Sequence, residues 1–156
     1  MSVSERLGEL DELDIELPPP APPAGLYNPV VVHGDVAFVS GQVPSRDGQL
    51  IAKGKLGDNV TIEEGQAAAR QCVLNALAAL SAALGSIDRV RQIVRMTVFV
   101  ASAEGFNDQP QVANGASQLL IDIFGMDQRP ARSAIGVAEL PLGCPVEVEV
   151  TASLTT

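Results

Sequence analysis

Val146-Glu147-Val148-Glu149-Val150-Thr151-Ala152-Ser153 alternates apolar and polar residues without a break. Successive side chains of a strand point to opposite faces, so one face of this segment is apolar and the other carries carboxylates. Such a pattern belongs to a sheet covered on one side only. Two upstream segments qualify as the cover. From Thr61 an Ala-rich run extends to Gly85, with Val73, Leu77, Leu80 and Leu84 on one stripe. Thr61 and Glu64 have the spacing of a capping box, and a glycine closes the run. A second helix over about 110–124 turns Val112, Ala116, Leu119, Leu120 and Ile123 inward.

The other elements read as strands. Val30-Val31-Val32 and Val36-Ala37-Phe38-Val39 flank His33-Gly34-Asp35, a strand pair around a tight turn in which the only histidine is an ordinary turn residue. Ser45-Arg46-Asp47-Gly48 is a second turn, leading to a short third strand over 50–52. Segments 91–100 and 131–139 are strand-like. The order β-β-β-α-β-α-β-β predicts an α+β sandwich of two layers, a mixed sheet of about six strands with two helices on one face. Phe38, Val43 and the central strands should not all face water, so the second sheet face calls for oligomerisation. Met96 and Met126 read as core filler.

Residues 25–156 form one domain, and 1–24 form an acidic arm with a Pro-rich spacer. The first 16 residues hold six acidic groups and one base, Arg6. Leu7, Leu10, Leu13 and Leu17 recur at near-helical spacing, which suits either a short helix docked on the body or a solvated terminus. Pro18-Pro19-Pro20-Ala21-Pro22-Pro23 then forms a stiff extended spacer.

Composition narrows the function. The 156 residues include 46% hydrophobic and 19% charged residues, which excludes wholesale disorder. Ten Lys plus Arg oppose 19 Asp plus Glu, a net charge of −9, and aromatic residues are 3% with no Trp, so phosphate-backbone and single-strand nucleic-acid binding are disfavoured. No basic start leads into an apolar stretch and cleavage site, and no run reads as a membrane span, so a soluble cytoplasmic protein is expected. Two cysteines and one histidine are too few for the usual zinc ligand sets, and neither GxGxxG nor a Walker pattern occurs. Cys72 and Cys144 read as buried free thiols rather than a bridge.

The chemistry-bearing stretch is Arg129-Pro130-Ala131-Arg132-Ser133-Ala134, followed by Glu139-Leu140-Pro141 and Val146-Glu147-Val148-Glu149. If the last two strands pair as a hairpin, Arg132 and Glu147 lie near one another on the carboxylate-bearing face. A guanidinium fits a substrate carboxylate with two hydrogen bonds, and a neighbouring Glu can take a proton from water. The same pair also reads as a plain cross-strand contact between exposed charges.

These segments, with Ser40-Gly41-Gln42-Val43-Pro44, the helix from Gln66 to Gln71 with Asn75, and Thr97-Val98-Phe99-Val100, resemble the RidA (YjgF-like) family of small imine deaminases. The likeness runs from about Gly25 to Ala152 and is nearest to a branch with an N-terminal extension. It implies a homotrimer with clefts between subunits, and hydrolysis of reactive 2-imino acids to 2-keto acids and ammonia without metal or organic cofactor. Arg132 matches the family's carboxylate-binding arginine and Glu147 the glutamate that positions water. Tyr27 matches the cleft tyrosine, and Asn114 is the candidate for an asparagine of the second helix. Ala134 stands where many members carry Cys; the water contact there is a backbone carbonyl, so the change bears on pocket shape, as does Gly136. Glu149 reads as a barrel-facing or intersubunit residue.

Three rivals remain. A non-catalytic module binding a small carboxylate in the same cleft would not need Glu147. The ribonuclease activity attributed to some members conflicts with the charge. Chorismate mutase, which shares the fold, needs several cationic groups around a dicarboxylate, and bases are few here. The expected partners are therefore a 2-imino or 2-keto acid and further copies of the chain, with no nucleic acid and no membrane.

Overall fold

The computed structural model describes residues 1–11 and 16–156; the side chains of 9–15 are not described, so Leu10 and Leu13 of the predicted leucine stripe lie outside it. In chain order the elements are α1 (Val3–Asp11), β1 (Val30–His33), β2 (Val36–Gln42), β3 (Ser45–Arg46), β4 (Gln49–Leu50), α2 (Ile62–Leu84), β5 (Val90–Ala101), α3 (Gln109–Phe124), β6 (Ala131–Val137) and β7 (Val146–Leu154). This is the expected two-layer α+β sandwich with a mixed sheet.

Five strands form the main sheet in the order β1-β2-β7-β5-β6. The short third strand does not join them: β3 and β4 make a separate two-stranded hairpin, so the expected six strands become five and two. Nor do the last two strands pair with each other. β6 runs parallel to β5, and β7 lies antiparallel between β2 and β5. Parallel neighbours need a long crossover, which α3 supplies between β5 and β6. The physical reason for the order is the strand pattern. Val146, Val148, Val150, Ala152 and Leu154 are all buried, which suits a central strand, whereas β6 has no buried residue and takes the edge.

α2 begins where its sequence says it should: the Thr61 hydroxyl accepts a hydrogen bond from Glu64 N at 3.1 Å, and Gly85 ends the helix in the left-handed region. It is long and apolar enough by composition to cross a membrane, yet most of it is spent on two packing partners, the sheet and α3. Leu77 and Leu80 are fully enclosed, each contributing roughly 1.5–3 kcal/mol of burial. α2 and α3 cross closely at Gly115, where a Cβ would run into the backbone carbonyl of Gln66. All five predicted inward residues of α3 are buried.

The arm docks. Val3, Leu7 and Leu17 pack against the core, Ser4 donates through N and Oγ to the Asp88 carboxylate at 2.7 and 2.6 Å, and Arg6 Nη1 donates to Ile123 O at 3.1 Å. A helix over Val3–Asp11 therefore packs on the body, and of the predicted stripe Leu7 and Leu17 make that contact. The far face of the sheet stays uncovered within one chain: Val31, Phe38 and Ile135 are 49%, 50% and 43% exposed there. Met96 is core as expected, but Met126 is 55% exposed, because it falls in the turn after α3 rather than on a packed face.

Candidate functional site

A cleft of about 660 Å³ opens beside β2 and β7, with Tyr27, Gly41, Phe99 and Glu147 among its lining residues. Glu147 reaches it because β7 turns alternate residues away from the helices, and it stands opposite Phe99 of β5. Gly41 makes room: a Cβ there would lie 2.8 Å from Glu147 Cδ. The β2–β7 register shifts between Val39 and Gln42, so Ser40 and Gly41 form an irregular segment at the cleft. Burial, and secondly the nearby Glu149 charge, push the Glu147 carboxyl above its usual value of 4.5.

The surrounding backbone is pinned from several sides. Ser40 N donates to Pro29 O at 2.9 Å and Ser40 Oγ to Asn28 O at 2.8 Å, which holds the chain just after Tyr27 against β2. The Tyr27 hydroxyl accepts from Ala24 N at 3.4 Å. From α2, the buried Asn75 donates to Val43 O and Ser45 O, both at 3.0 Å, and accepts from Gln71 at 3.1 Å. A buried amide with its bonds satisfied fixes one loop conformation. Neither Asn75 nor Gln71 was expected to matter beyond the helix that carries them.

Arg132 sits elsewhere. It occupies the edge strand β6 in register with the buried Met96, so its side chain leaves on the helix side of the sheet. Its Nη1 donates to Asn114 Oδ1 at 2.9 Å and to Ser117 Oγ at 3.0 Å, both from α3. Ala134, two residues on, shares that side and packs against the core. The predicted residues therefore divide into two groups: Arg132, Asn114 and Ala134 on one side of the sheet edge, Tyr27 and Glu147 in the cleft on the other. This corrects the expected hairpin contact. β5 lies between β6 and β7, and Arg132 and Glu147 are in register with Met96 and Phe99, three residues apart. At ordinary strand spacing their Cα atoms are about 14 Å apart, and their side chains leave opposite faces. Ser117 was missed, although its spacing from Asn114 puts both on one helix face.

The remaining chemistry-bearing residues are quiet. His33 ends β1 beside the turn at Gly34. Cys72 and Cys144 are buried and unbridged. Burial raises both thiols, Cys144 to about 11, away from reactivity. Among the described residues no group of three or more His, Cys, Asp or Glu side chains could hold a metal ion.

Residues 19–154 match the model of the family described as Endoribonuclease L-PSP. The chain belongs to this family. It is the YjgF/RidA family that the sequence resembles. The family includes 2-imino acid deaminases, and some of its members are described as endoribonucleases. Protein TCP17 of Trypanosoma cruzi is 46% identical over 146 residues, covering 93% of this chain and 91% of the relative. The 2-iminobutanoate/2-iminopropanoate deaminase of Dermatophagoides farinae is 28% identical over 127 residues, 81% of this chain and 84% of its own. Among solved structures, a putative endoribonuclease from Shewanella oneidensis superposes with a TM-score of 0.91 at 34% identity, covering 99% of this chain and 100% of that one. E. coli TdcF with bound serine gives a TM-score of 0.64 at 28% identity, covering 89% and 94%.

Proposed function

We propose that this family member hydrolyses reactive 2-imino acids to 2-keto acids and ammonia, in clefts completed by a second copy of the chain. The observation that carries the reading is the state of Arg132. Two neutral oxygens orient its guanidinium, and among the described residues it pairs with no carboxylate, so its charge is available to an anionic ligand. A small α-carboxylate fits that requirement, and the serine in TdcF and the name of the mite deaminase point to ligands of the same kind.

Arg132 and Glu147 cannot meet within one chain, so the proposed site joins the β6 edge of one copy to the Glu147 cleft of the next. The exposed apolar residues Val31, Phe38 and Ile135 support self-association through the open sheet face. A homotrimer is the assembly the family resemblance implies.

In the proposed reaction, Arg132 holds the substrate carboxylate and the imine nitrogen is protonated. Glu147 takes a proton from water as the water oxygen bonds to the imine carbon, giving a carbinolamine. Glu147 returns that proton to nitrogen, the C–N bond breaks with its electron pair leaving on ammonia, and the hydroxyl proton passes back to Glu147 as the carbonyl forms; ammonia then takes that proton and leaves as ammonium. A raised carboxyl pKa makes Glu147 a better base than an ordinary surface carboxylate.

The test generates 2-iminopropanoate in situ with an amino-acid oxidase acting on alanine and traps unreacted imine with semicarbazide. Wild type should cut trapping, and Arg132→Ala and Glu147→Ala should lose that effect while keeping the same oligomeric state. Full activity in either variant refutes its role. An inactive wild type that still binds a keto acid would make the chain a carboxylate-binding module instead.

A further inference from the structure

One wall of the cleft comes from outside the sandwich. Ala21, Pro22, Pro23 and Ala24 of the spacer line it together with Phe99 and Leu142. We propose that this spacer determines specificity, selecting 2-imino acids with a branched or extended apolar side chain. The proposal rests on the imine-hydrolysis reading and names the substrate class for it.

Three properties of the segment carry the inference. It is held on both sides: Leu17 packs on the core before it, and after it Ser40 of β2 donates to Asn28 O and Pro29 O. It is stiff, because each proline locks its φ angle, so little freedom remains to be lost when a ligand lies against it. It is also without donors at Pro22 and Pro23, which have no N–H. A polar substrate side chain meeting that surface gives up water with nothing in return, whereas an apolar one gains by contact.

In one chain the open cleft measures about 660 Å³ before a second copy adds its β6 edge, and the spacer wall belongs to this chain's part of it. The polar lining is Tyr27, Ser40, Gln42, Ser45, Glu147 and Glu149, from β2, β7 and the segments beside them, whereas the spacer, Phe99 and Leu142 form an apolar part that faces the substrate's side chain. Leu142 is 72% exposed and sits in a turn at φ 62°, so an apolar residue is presented at the rim instead of being folded inward.

The experiment uses the full-length chain with 2-iminopropanoate and 4-methyl-2-iminopentanoate, made in situ from alanine and leucine. Two variants are compared with wild type: Pro23→Glu, which puts a charge on the wall, and Pro22→Gly/Pro23→Gly, which loosens it. In parallel, calorimetry measures Kd for pyruvate and 4-methyl-2-oxopentanoate. Wild type should prefer the larger substrate, and the kcat/KM ratio should fall about tenfold in both variants. An unchanged ratio overturns the proposal. If wild type turns over neither imine but binds the larger keto acid more tightly, and both variants lose that preference, the hydrolase reading fails and the wall stands. Absence of both turnover and selective binding overturns both.

Discussion

Mixing two impaired proteins should restore activity. Arg132→Ala removes the proposed carboxylate clamp, and Glu147→Ala the proposed base; each alone cripples a site that needs both. The registers of β6 and β7 against β5 put the two residues on opposite faces, so each proposed cleft takes its arginine from one copy and its glutamate from another. In a closed ring assembled at random from equal amounts of the two variants, half of the copies bring an intact arginine and half an intact glutamate. About one quarter of the clefts then hold both, and activity should return to about one quarter of wild type. Before mixing, Arg132→Ala should lose roughly 1.5–3 kcal/mol of charge-assisted binding, about tenfold to over a hundredfold in kcat/KM. The assay is semicarbazide trapping after co-expression or after unfolding and refolding the mixture, with gel filtration confirming the assembly. No recovery, with both variants assembled and exchanged, would refute the two-copy cleft.

Four further outcomes follow from particular contacts. Because burial and Glu149 raise the Glu147 carboxyl, the acid limb of kcat/KM should lie above the ordinary carboxylate value of 4.5, and Glu149→Gln should move it down; a limb that ignores Glu149 counts against Glu147 as the base. The same shift links to stability. A carboxyl raised by folding stabilises the fold fully below its unfolded pKa, and that contribution is lost as pH rises through the folded value, so Glu147→Gln should raise Tm at pH 7 and lose the gain in acid. Gly41→Ala puts a Cβ 2.8 Å from Glu147 Cδ and should displace the carboxylate, lowering kcat/KM by about 10–100-fold with the fold intact on circular dichroism. Gly115→Ala forces α2 and α3 apart at Gln66 and should cost about 1–3 kcal/mol in urea unfolding, with no specific effect on substrate preference.

Local signals carried most of the fold. The alternation of β7, the Thr61 cap, the Gly85 stop and the inward stripe of α3 each depend on residues within a few positions of one another, and each is present as read. The short strand over 50–52 went astray because a two-residue ladder has too little apolar content to demand a place in the main sheet. Of the candidate site residues, Tyr27 and Glu147 line one cleft and Asn114 meets Arg132, but the expected contact of Arg132 with Glu147 is absent because β5 separates their strands.

By itself, then, the sequence determined which segments are helix and strand, which face of each is apolar, and which side chains carry charge near the C-terminal strands. Only the tertiary structure decided that β5 separates β6 from β7, that Arg132 leaves the sheet toward α3 while Glu147 leaves it toward the cleft, and that the Pro-rich spacer forms a wall. Strand pairing is a long-range choice among segments that all alternate or run apolar, settled by which strand buries most when placed at the centre. Periodicity along a chain gives the face of a residue within its own element, but the neighbour across that face is set by topology.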